Sequence, residues 1–383
     1  MVSYKKSALH TLVFEIGDIQ TDGRCRNIAE SLLRWGASVT FIGPGELDKE
    51  EYLNGIRIFR LRVITQLGSK VMYAHYWIRS FWKGVTLRPS LIVAEDLYSL
   101  PAALAVKFFT RSKILYDAKE LYFAIASLHQ RPVTQWFWTT IEQLGIRYVD
   151  GVITSGERDS DVIAERYTIS RPVTINNHPP KRTEGGDKNI LRKTYGIADG
   201  YSIFLYQGWL LRGRGLFHLI ELMTAIEKAY LVIMGDGPLR QELEDDSREK
   251  LVSDRVLFTG ALPYGTMLDY TPGADVGCAL IEDYGMSYRH ARPNKMFEYI
   301  QAGVPVLVSS MPAMQEIVEE WQVGLAVEPD NLPETITAAK KFIDDKDFYR
   351  ECVLNCRAAA EVFHWGEEEV KLTALLDSLY TKE

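Results

Sequence analysis

Short runs of β-branched and other apolar residues alternate along the chain with stretches of helical period, and glycine-rich turns separate them. Leu12–Ile16 reads as a strand, Gly17–Gly23 as a polar turn carrying Asp18 and Asp22, and Arg24–Trp35 as a helix closed by Gly36. Ala37–Ile42 supplies the next strand, so the opening is a βαβ unit with parallel strands. Further strands are predicted at Leu91–Glu95, Lys113–Asp117 and Gly151–Ser155. After Val173–Asn177 come His178-Pro-Pro and the polar run KRTEGGDKN, a composition that suits a linker. Beyond it the alternation resumes, with strands at Ile203–Gln207, Tyr230–Met234, Val256–Thr259, Ala274–Leu280, Val304–Val308 and Gly324–Val327. The expected fold class is α/β, with parallel sheets in two domains at residues 1–178 and 186–364.

The stretch from Ser287 to Ser309, SYRHARPNKMFEYIQAGVPVLVS, carries the most specific chemistry. Pro293 and Asn294 suit the first turn of a helix, because proline fixes φ and asparagine can cap. Met296, Phe297, Ile300 and Ala302 give that helix an apolar face, and Gly303 followed by Pro305 ends it. Such a helix start presents unpaired N–H groups and a positive dipole end, which suits a phosphate. Lys295 and Arg292 stand beside that end, and Glu298 lies about one turn further on.

A chain of 383 residues exceeds one ordinary core, and 46 % hydrophobic with 25 % charged content places it among soluble globular proteins. No run of roughly 18 uncharged apolar residues occurs, so no transmembrane helix is expected. The opening MVSYKKSALHTLVFEIGD lacks a small-residue cleavage site and reads as a first strand, not a signal peptide. Cys25, Cys278, Cys352 and Cys356 form no CxxC pair, and a reducing cytosol is expected. Residues 1–180 hold 22 Lys+Arg against 18 Asp+Glu and the remainder 22 against 33, so nets of +4 and −11 give the total of −7. That acidic total argues against a general nucleic-acid binder. Tyr52–Ala94 contains no acid, yet holds Arg57, Arg60, Arg62, Lys70, Arg79, Lys83 and Arg88 among aromatics that include Trp77 and Trp82. It reads either as a basic, aromatic helix lying on an anionic membrane surface or as a core helix with solvated cations. A second acid-free stretch, Leu121–Ile141, carries Arg131, Trp136, Phe137 and Trp138.

Asn294-Lys-x-Phe-Glu-Tyr followed by Ala302-Gly-x-Pro-Val resembles the donor-binding element of GT-B glycosyltransferases, in particular glycosyltransferase family 4. The resemblance implies two Rossmann-like domains with parallel sheets facing across a cleft, the first on the acceptor side and the second binding a nucleotide-sugar. His364-Trp365-Gly and the helix after it, about residues 365–383, resemble the closing segment that returns onto the first domain. In the family a Glu-x7-Glu pattern spans the loop and helix. Glu298 matches its second position, which binds the ribose hydroxyls, and His290 stands at the first, near the sugar. Gly208-Trp-Leu-Leu-Arg-Gly-Arg-Gly stands where the family shows Gly-Arg-Leu-x-x-x-Lys-Gly. Arg214 matches the Lys that grips the diphosphate, Trp209 takes the Arg position, and Arg212 offers the replacement charge. Gly235-Asp-Gly-Pro and the run Phe-Thr-Gly260-Ala-Leu262 are similar to further donor loops, the second facing the base. In the first half, Asp22-Gly-Arg24-x-Arg26 resembles the family's opening loop, which places Gly17 toward the donor and Arg24 and Arg26 toward phosphate or an anionic acceptor. Glu95-Asp96 and Asp117-Ala-Lys119-Glu120-Leu-Tyr stand where the family has His-Asp and Asp-x-His-Glu-Leu-Tyr, so Glu95 and Lys119 depart from the pattern.

Membership of that family would make the chain a retaining hexosyltransferase. It would move a sugar from a nucleoside diphosphate, as a UDP- or GDP-sugar, to a hydroxyl without a metal or other cofactor. The leaving phosphate would take the acceptor proton while the protein supplies cations, a helix dipole and position. Candidate catalytic residues are Asp96, Asp117, Glu120 and His290. Donor contacts are Gly17, Gly208, Arg212, Arg214, Gly235, Gly260, Leu262, Arg292, Asn294, Lys295 and Glu298. Arg24, Arg26, Trp77, Arg79, Trp82 and Lys83 would meet the acceptor or the membrane. The expected acceptor is a lipid-linked or cell-surface glycan, and the expected location is cytoplasmic, peripheral on the inner face of the membrane. Glu95, Lys119, Trp209 and His290 keep open a nucleotide-binding but inactive relative with a regulatory role. A sugar-nucleotide epimerase, which shares the two-domain architecture, and a non-enzymatic membrane adaptor stay open beside it.

Overall fold

The computed structural model describes residues 9–124, 131–182, 186–284, 286–290, 292–328 and 330–381. The opening segment before residue 9, part of the second acid-free stretch, the middle of the expected linker and the last two residues lie outside that set. The chain divides into two compact units, with boundaries at Asn177/His178 and again at Glu367/Glu368.

Among its described residues the first unit is built on eight strands: β1 (His10–Phe14), β2 (Ser38–Gly45), β3 (Lys49–Leu53), β4 (Ile56–Arg62), β5 (Leu91–Glu95), β6 (Lys113–Ala118), β7 (Gly151–Thr154) and β8 (Val173–Thr174). They lie in the order β3-β4-β2-β1-β5-β6-β7-β8. Val13 sits beside Phe41 on one side and Val93 on the other, and all pairings are parallel except β3 with β4. Central strands such as β5 are buried along their whole length, which is why they read as unbroken apolar runs. Its helices include α1 (Gly23–Trp35), α2 (Ser69–Leu87), α3 (Leu100–Thr110) and α4 (Pro132–Gly145). Asp22 caps α1 by accepting from the Cys25 N–H at 2.9 Å, and Gly36 ends it at φ 104°. The closing helix, Trp365–Thr381, is tied to α1 by Arg34–Glu369 at 2.7 Å and by the Trp35 indole donating to Asp377 at 2.8 Å.

The β3–β4 pair adds one antiparallel edge to an otherwise parallel sheet, and it corrects one expectation: the acid-free stretch from Tyr52 is not one helix. Asn54 and Gly55, both at positive φ, make the two-residue turn of a hairpin. Ile56, Ile58 and Leu61 of β4 are buried, while its arginines reach acids close by. Arg57 pairs with Glu50 at 2.8 Å, and Arg60 with Asp18 at 2.6 Å and Glu51 at 3.0 Å.

Among its described residues the second unit has six strands, all parallel: β9 (Ser202–Gln207), β10 (Ala229–Met234), β11 (Val256–Gly260), β12 (Val276–Ala279), β13 (Val306–Ser309) and β14 (Gly324–Val327). Their order is β11-β10-β9-β12-β13-β14. Counted within the unit this is 3-2-1-4-5-6, so the winding reverses between β9 and β12. In such sheets a ligand binds in the crevice beyond the carboxyl ends of the strands at that reversal. Apolar clusters cover both faces of the sheet, one around Leu219, Met223 and Leu231 and the other around Met296, Phe297 and Ile300.

Candidate functional site

Three glycine loops close over the carboxyl ends of β9, β10 and β11, held backbone to backbone. The Gly208 N–H donates to Met234 O at 2.9 Å, Leu210 N–H to Asp236 O at 2.9 Å, and Gly235 N–H to Gly260 O at 3.0 Å. A Cβ on Gly235 would stand 1.9 Å from Gly208 O, and φ there is +154°, so no other residue fits that position without moving the loop. Gly215, at φ +66°, is pressed as closely on Leu280 O, which joins the arginine-bearing loop to the end of β12.

Against these loops the helix Asn294–Gln301 presents its start. Pro293 occupies the cap position and no side chain caps the helix. Asn294 is its exposed first residue, so the expected asparagine cap is not formed; the Met296 N–H turns back to Pro293 O at 3.0 Å, and among the described residues the Asn294 and Lys295 N–H groups are left for an anion. Lys295 lies over the Tyr206 ring, with Nζ 3.7 Å from its centre. Gly208 leaves it room: a Cβ there would sit 3.5 Å from Nζ. Arg214 lies 5.9 Å from the centre of the Tyr288 ring and makes no ion pair among the described residues. Burial first, and Arg214 second, hold the Lys295 ammonium well below the usual lysine range, while Glu298 pulls the other way. Glu298 is buried, and burial raises its carboxyl against the hydrogen bonds it accepts from the Gln207 amide and the Tyr264 hydroxyl, the latter at 3.0 Å. Two cations thus converge on an uncapped helix start at the sheet's reversal, beside one oriented carboxylate.

Of the expected donor contacts, Gly208, Arg214, Gly235, Gly260, Leu262, Asn294, Lys295 and Glu298 all lie on this set of loops, and His290 stands half-buried before the helix. Arg212, expected as a replacement charge, is exposed and paired with Glu242 at 2.7 Å. Arg292 lies 3.9 Å from Glu316. Gln207, Tyr206 and Tyr264 escaped the sequence reading. Gln207 is the last residue of a strand that reads as apolar, and Tyr264 lies 34 residues from its partner.

In the first unit the carboxyl ends of β1, β5 and β6 hold a buried charge cluster. Lys119 Nζ lies 2.9 Å from Asp22, 3.0 Å from Glu95 and 3.1 Å from Glu15. The two departures at Glu95 and Lys119 are therefore one ion pair. Burial pushes Glu15 up to about 7 and Glu95 well above its ordinary value, with Lys119 opposing both. Beneath them Arg24 and Asp117 form a bidentate pair, both bonds 2.7 Å and both residues buried. Arg24, expected at a phosphate or acceptor, and Asp117, expected in catalysis, are here engaged with each other. Arg26 donates to Ile19 O and Gln20 O and so fastens its own loop. Gly17 lies in the first unit, next to Glu15. Glu120 is exposed.

Asp96 is the first unit's reactive-looking carboxylate. It holds a left-handed backbone, φ +67°, and accepts from the Tyr122 hydroxyl at 2.6 Å. Burial raises its carboxyl to about 6 against that hydrogen bond. A non-glycine residue kept in such a conformation is the kind of strain that collects at functional sites. Of the expected membrane contacts, Trp77 is half-buried and donates to Tyr98 O at 2.7 Å, Arg79 is engaged by Asp48 at 2.9 Å, and Lys83 covers the Phe59 ring at 3.4 Å. Trp82 alone of that group is well exposed, at 65 %.

Residues 187–358 match the family described as glycosyl transferases group 1. An uncharacterized glycosyltransferase of Methanocaldococcus jannaschii is 22 % identical over 355 residues, 86 % of each chain. Sucrose-phosphate synthase from Thermosynechococcus elongatus has the same fold, with a TM-score of 0.81 at 18 % identity over 98 % of this chain and 100 % of its own. Anabaena HepE, solved in complex with UDP-glucose, gives 0.72 at 16 % identity over 97 % and 100 %. The family match falls on the unit that carries the convergent cations, so that unit is similar to the group 1 glycosyl transferases, and the chain as a whole has the fold of these glycosyltransferase structures.

Proposed function

We propose that the protein transfers a hexose, with retention, from a UDP- or GDP-sugar to a hydroxyl of a lipid-linked or cell-surface glycan, and that it works at the inner face of the membrane. The observation that carries this reading is the pair of cations, Arg214 and Lys295, at the uncapped helix start beside Glu298. A nucleoside diphosphate supplies the anion that these groups lack, and Glu298, aligned by Gln207 and Tyr264, can accept from two ribose hydroxyls. The glycine loops pack backbone to backbone, and Gly208 keeps open the space in front of Lys295 where a phosphate would sit. Charge that builds on the leaving diphosphate meets fixed cations and a helix dipole, so the scheme calls for no metal. HepE was solved with UDP-glucose, which favours UDP as the nucleotide. Asp96 is the first unit's candidate to face the acceptor, and His290 the second unit's candidate to face the sugar.

The test is product analysis over a panel of nucleotide-sugars. One donor is expected to turn over, with the anomeric configuration kept in the product. Glu298→Ala, which removes hydrogen bonds to a charged group, is expected to weaken donor affinity by roughly ten- to a hundredfold. Failure of every donor at millimolar concentration would sink the reading and bring the inactive nucleotide-binding relative forward.

A further inference from the structure

Helix α3 is apolar on both sides but for Lys107, which pairs with Asp150 at 2.5 Å, and Thr110 near its end. Leu100, Ala102, Ala103 and Val106 are buried, yet the outward residues include Phe108 at 82 % and Phe109 at 64 % exposure. A helix without a polar side needs cover on its outer face. The neighbouring α2 adds Ile78 at 58 % and Trp82 at 65 % exposure. The rings form a continuous string: Trp82 meets Phe81 at 5.2 Å, Phe81 meets Phe109 at 5.4 Å, and Phe109 meets Phe108 at 5.2 Å. An exposed apolar patch of this kind marks an interaction surface.

Charge identifies what covers it. Helices α2, α3 and α4 together contain one acid, Glu142, and it is buried between the hydroxyls of Tyr116 and Tyr167 at 2.8 and 2.6 Å. Exposed cations stand at the helix ends, Arg88 after α2 and Arg111 after α3. Asp48 and Glu50 border Trp82, but they are paired with Arg79 and Arg57, so in a chain of net charge −7 this face keeps Arg88 and Arg111 beside its exposed rings. Two copies pressed together through it would oppose the same cations, whereas anionic headgroups complement them and accept the rings at the acyl boundary. Among the described residues no helix is long and apolar enough to cross a membrane, so contact through this face is interfacial.

We infer that the outer face of α2 and α3, centred on Trp82, Phe108 and Phe109 and rimmed by Arg88 and Arg111, is the surface by which the protein docks on an anionic phospholipid bilayer. The inference rests on the reading of the acceptor as a membrane-held glycan. Of the contacts expected from sequence it keeps Trp82 and drops Trp77, Arg79 and Lys83, which are engaged within the unit.

Flotation of the full chain with phosphatidylglycerol–phosphatidylcholine vesicles tests it, with pure phosphatidylcholine vesicles as the comparison. Wild type is expected to float with the anionic vesicles and to release as salt is raised. Trp82→Ser/Phe108→Ser is expected to lower the bound fraction about tenfold or more, and Arg88→Glu/Arg111→Glu to abolish the preference for anionic lipid. These side chains are exposed, so an unchanged Tm shows that the fold is intact. Equal flotation of wild type and the aromatic variant would overturn the inference, as would a wild type that stays with neither vesicle. Sedimentation showing a dimer that the aromatic variant dissolves would overturn it too, giving the face to a second copy. Nucleotide-sugar binding in vesicle-free buffer, measured on the same samples, is expected to be equal in all of them. Its absence in wild type would strike the transferase reading alone, and its presence with failed flotation would strike the docking surface alone.

Discussion

Replacing Lys295 with methionine is expected to lower kcat for sugar transfer by roughly a hundred- to a thousandfold, the loss seen when one preorganised charge-stabilising donor is removed from an active site. Lys295 is held over the Tyr206 ring, at a helix start, in a space kept open by Gly208. Its ammonium is destabilised in the resting protein by burial and by Arg214, so an arriving diphosphate relieves a repulsion as well as making a bond. The benefit grows as the sugar leaves and negative charge collects on the phosphates. Stability should move the other way. Methionine is close in volume and removes a desolvated charge, so the Tm of Lys295→Met is expected to equal or exceed that of wild type. Steady-state kinetics together with a melting curve check both halves. Activity within threefold of wild type would place the diphosphate elsewhere.

The second large effect concerns the first unit. Lys119→Met leaves Glu15, Glu95 and Asp22 without their shared cation, and breaking a buried ion network in this way costs about 3–5 kcal/mol. The loss depends on pH. Glu15, raised to about 7 from 4.5, binds its proton more tightly in the folded chain. Such a group contributes stability that is fully present below its unfolded value and is lost as pH rises through the folded one. Glu95 is raised in the same sense. Asp22 has the opposite sign: burial raises it, but Lys119 and its hydrogen bonds outweigh that and pull it below the ordinary range, so its contribution is lost only in strong acid. Without Lys119 both glutamates rise further, and the penalty is carried by whichever is still ionised. The Tm deficit of Lys119→Met is therefore expected to be largest near pH 8 and to shrink by pH 5.5. Glu95→Gln in the same chain should recover part of it, because the uncompensated carboxyl is removed. A deficit independent of pH, or none at all, would show that the cluster is not an ionic one.

The parts of the molecule legible in its sequence were those written locally. Parallel strands announce themselves as unbroken apolar runs because both faces are covered, and the first helix could be bounded from Gly36 at its end. Gly208, Arg214, Lys295 and Glu298 were legible because each belongs to a short motif whose spacing is set by one loop or one helical turn. The β3–β4 hairpin was also written, in Asn54-Gly55, but the charge count over Tyr52–Ala94 obscured it. Long-range pairing was not legible. Glu95 and Lys119 look like two separate departures until the ends of β5 and β6 bring them to 3.0 Å. Arg24 reads as an available cation until the fold places it against Asp117, 93 residues away. Nor does periodicity tell which rings of an aromatic helix face out, since Trp77 and Trp82 differ by five positions and end on different sides.

Isothermal titration of UDP and of GDP into wild type and into Arg214→Ala/Lys295→Met tests the nucleotide site most directly. One nucleotide is expected to bind wild type with one-to-one stoichiometry. The double variant should bind it at least about a hundredfold more weakly, the loss of two charge-assisted contacts. Equal affinity in the two proteins, or no heat from either nucleotide in wild type, would contradict a diphosphate site at the start of the helix Asn294–Gln301.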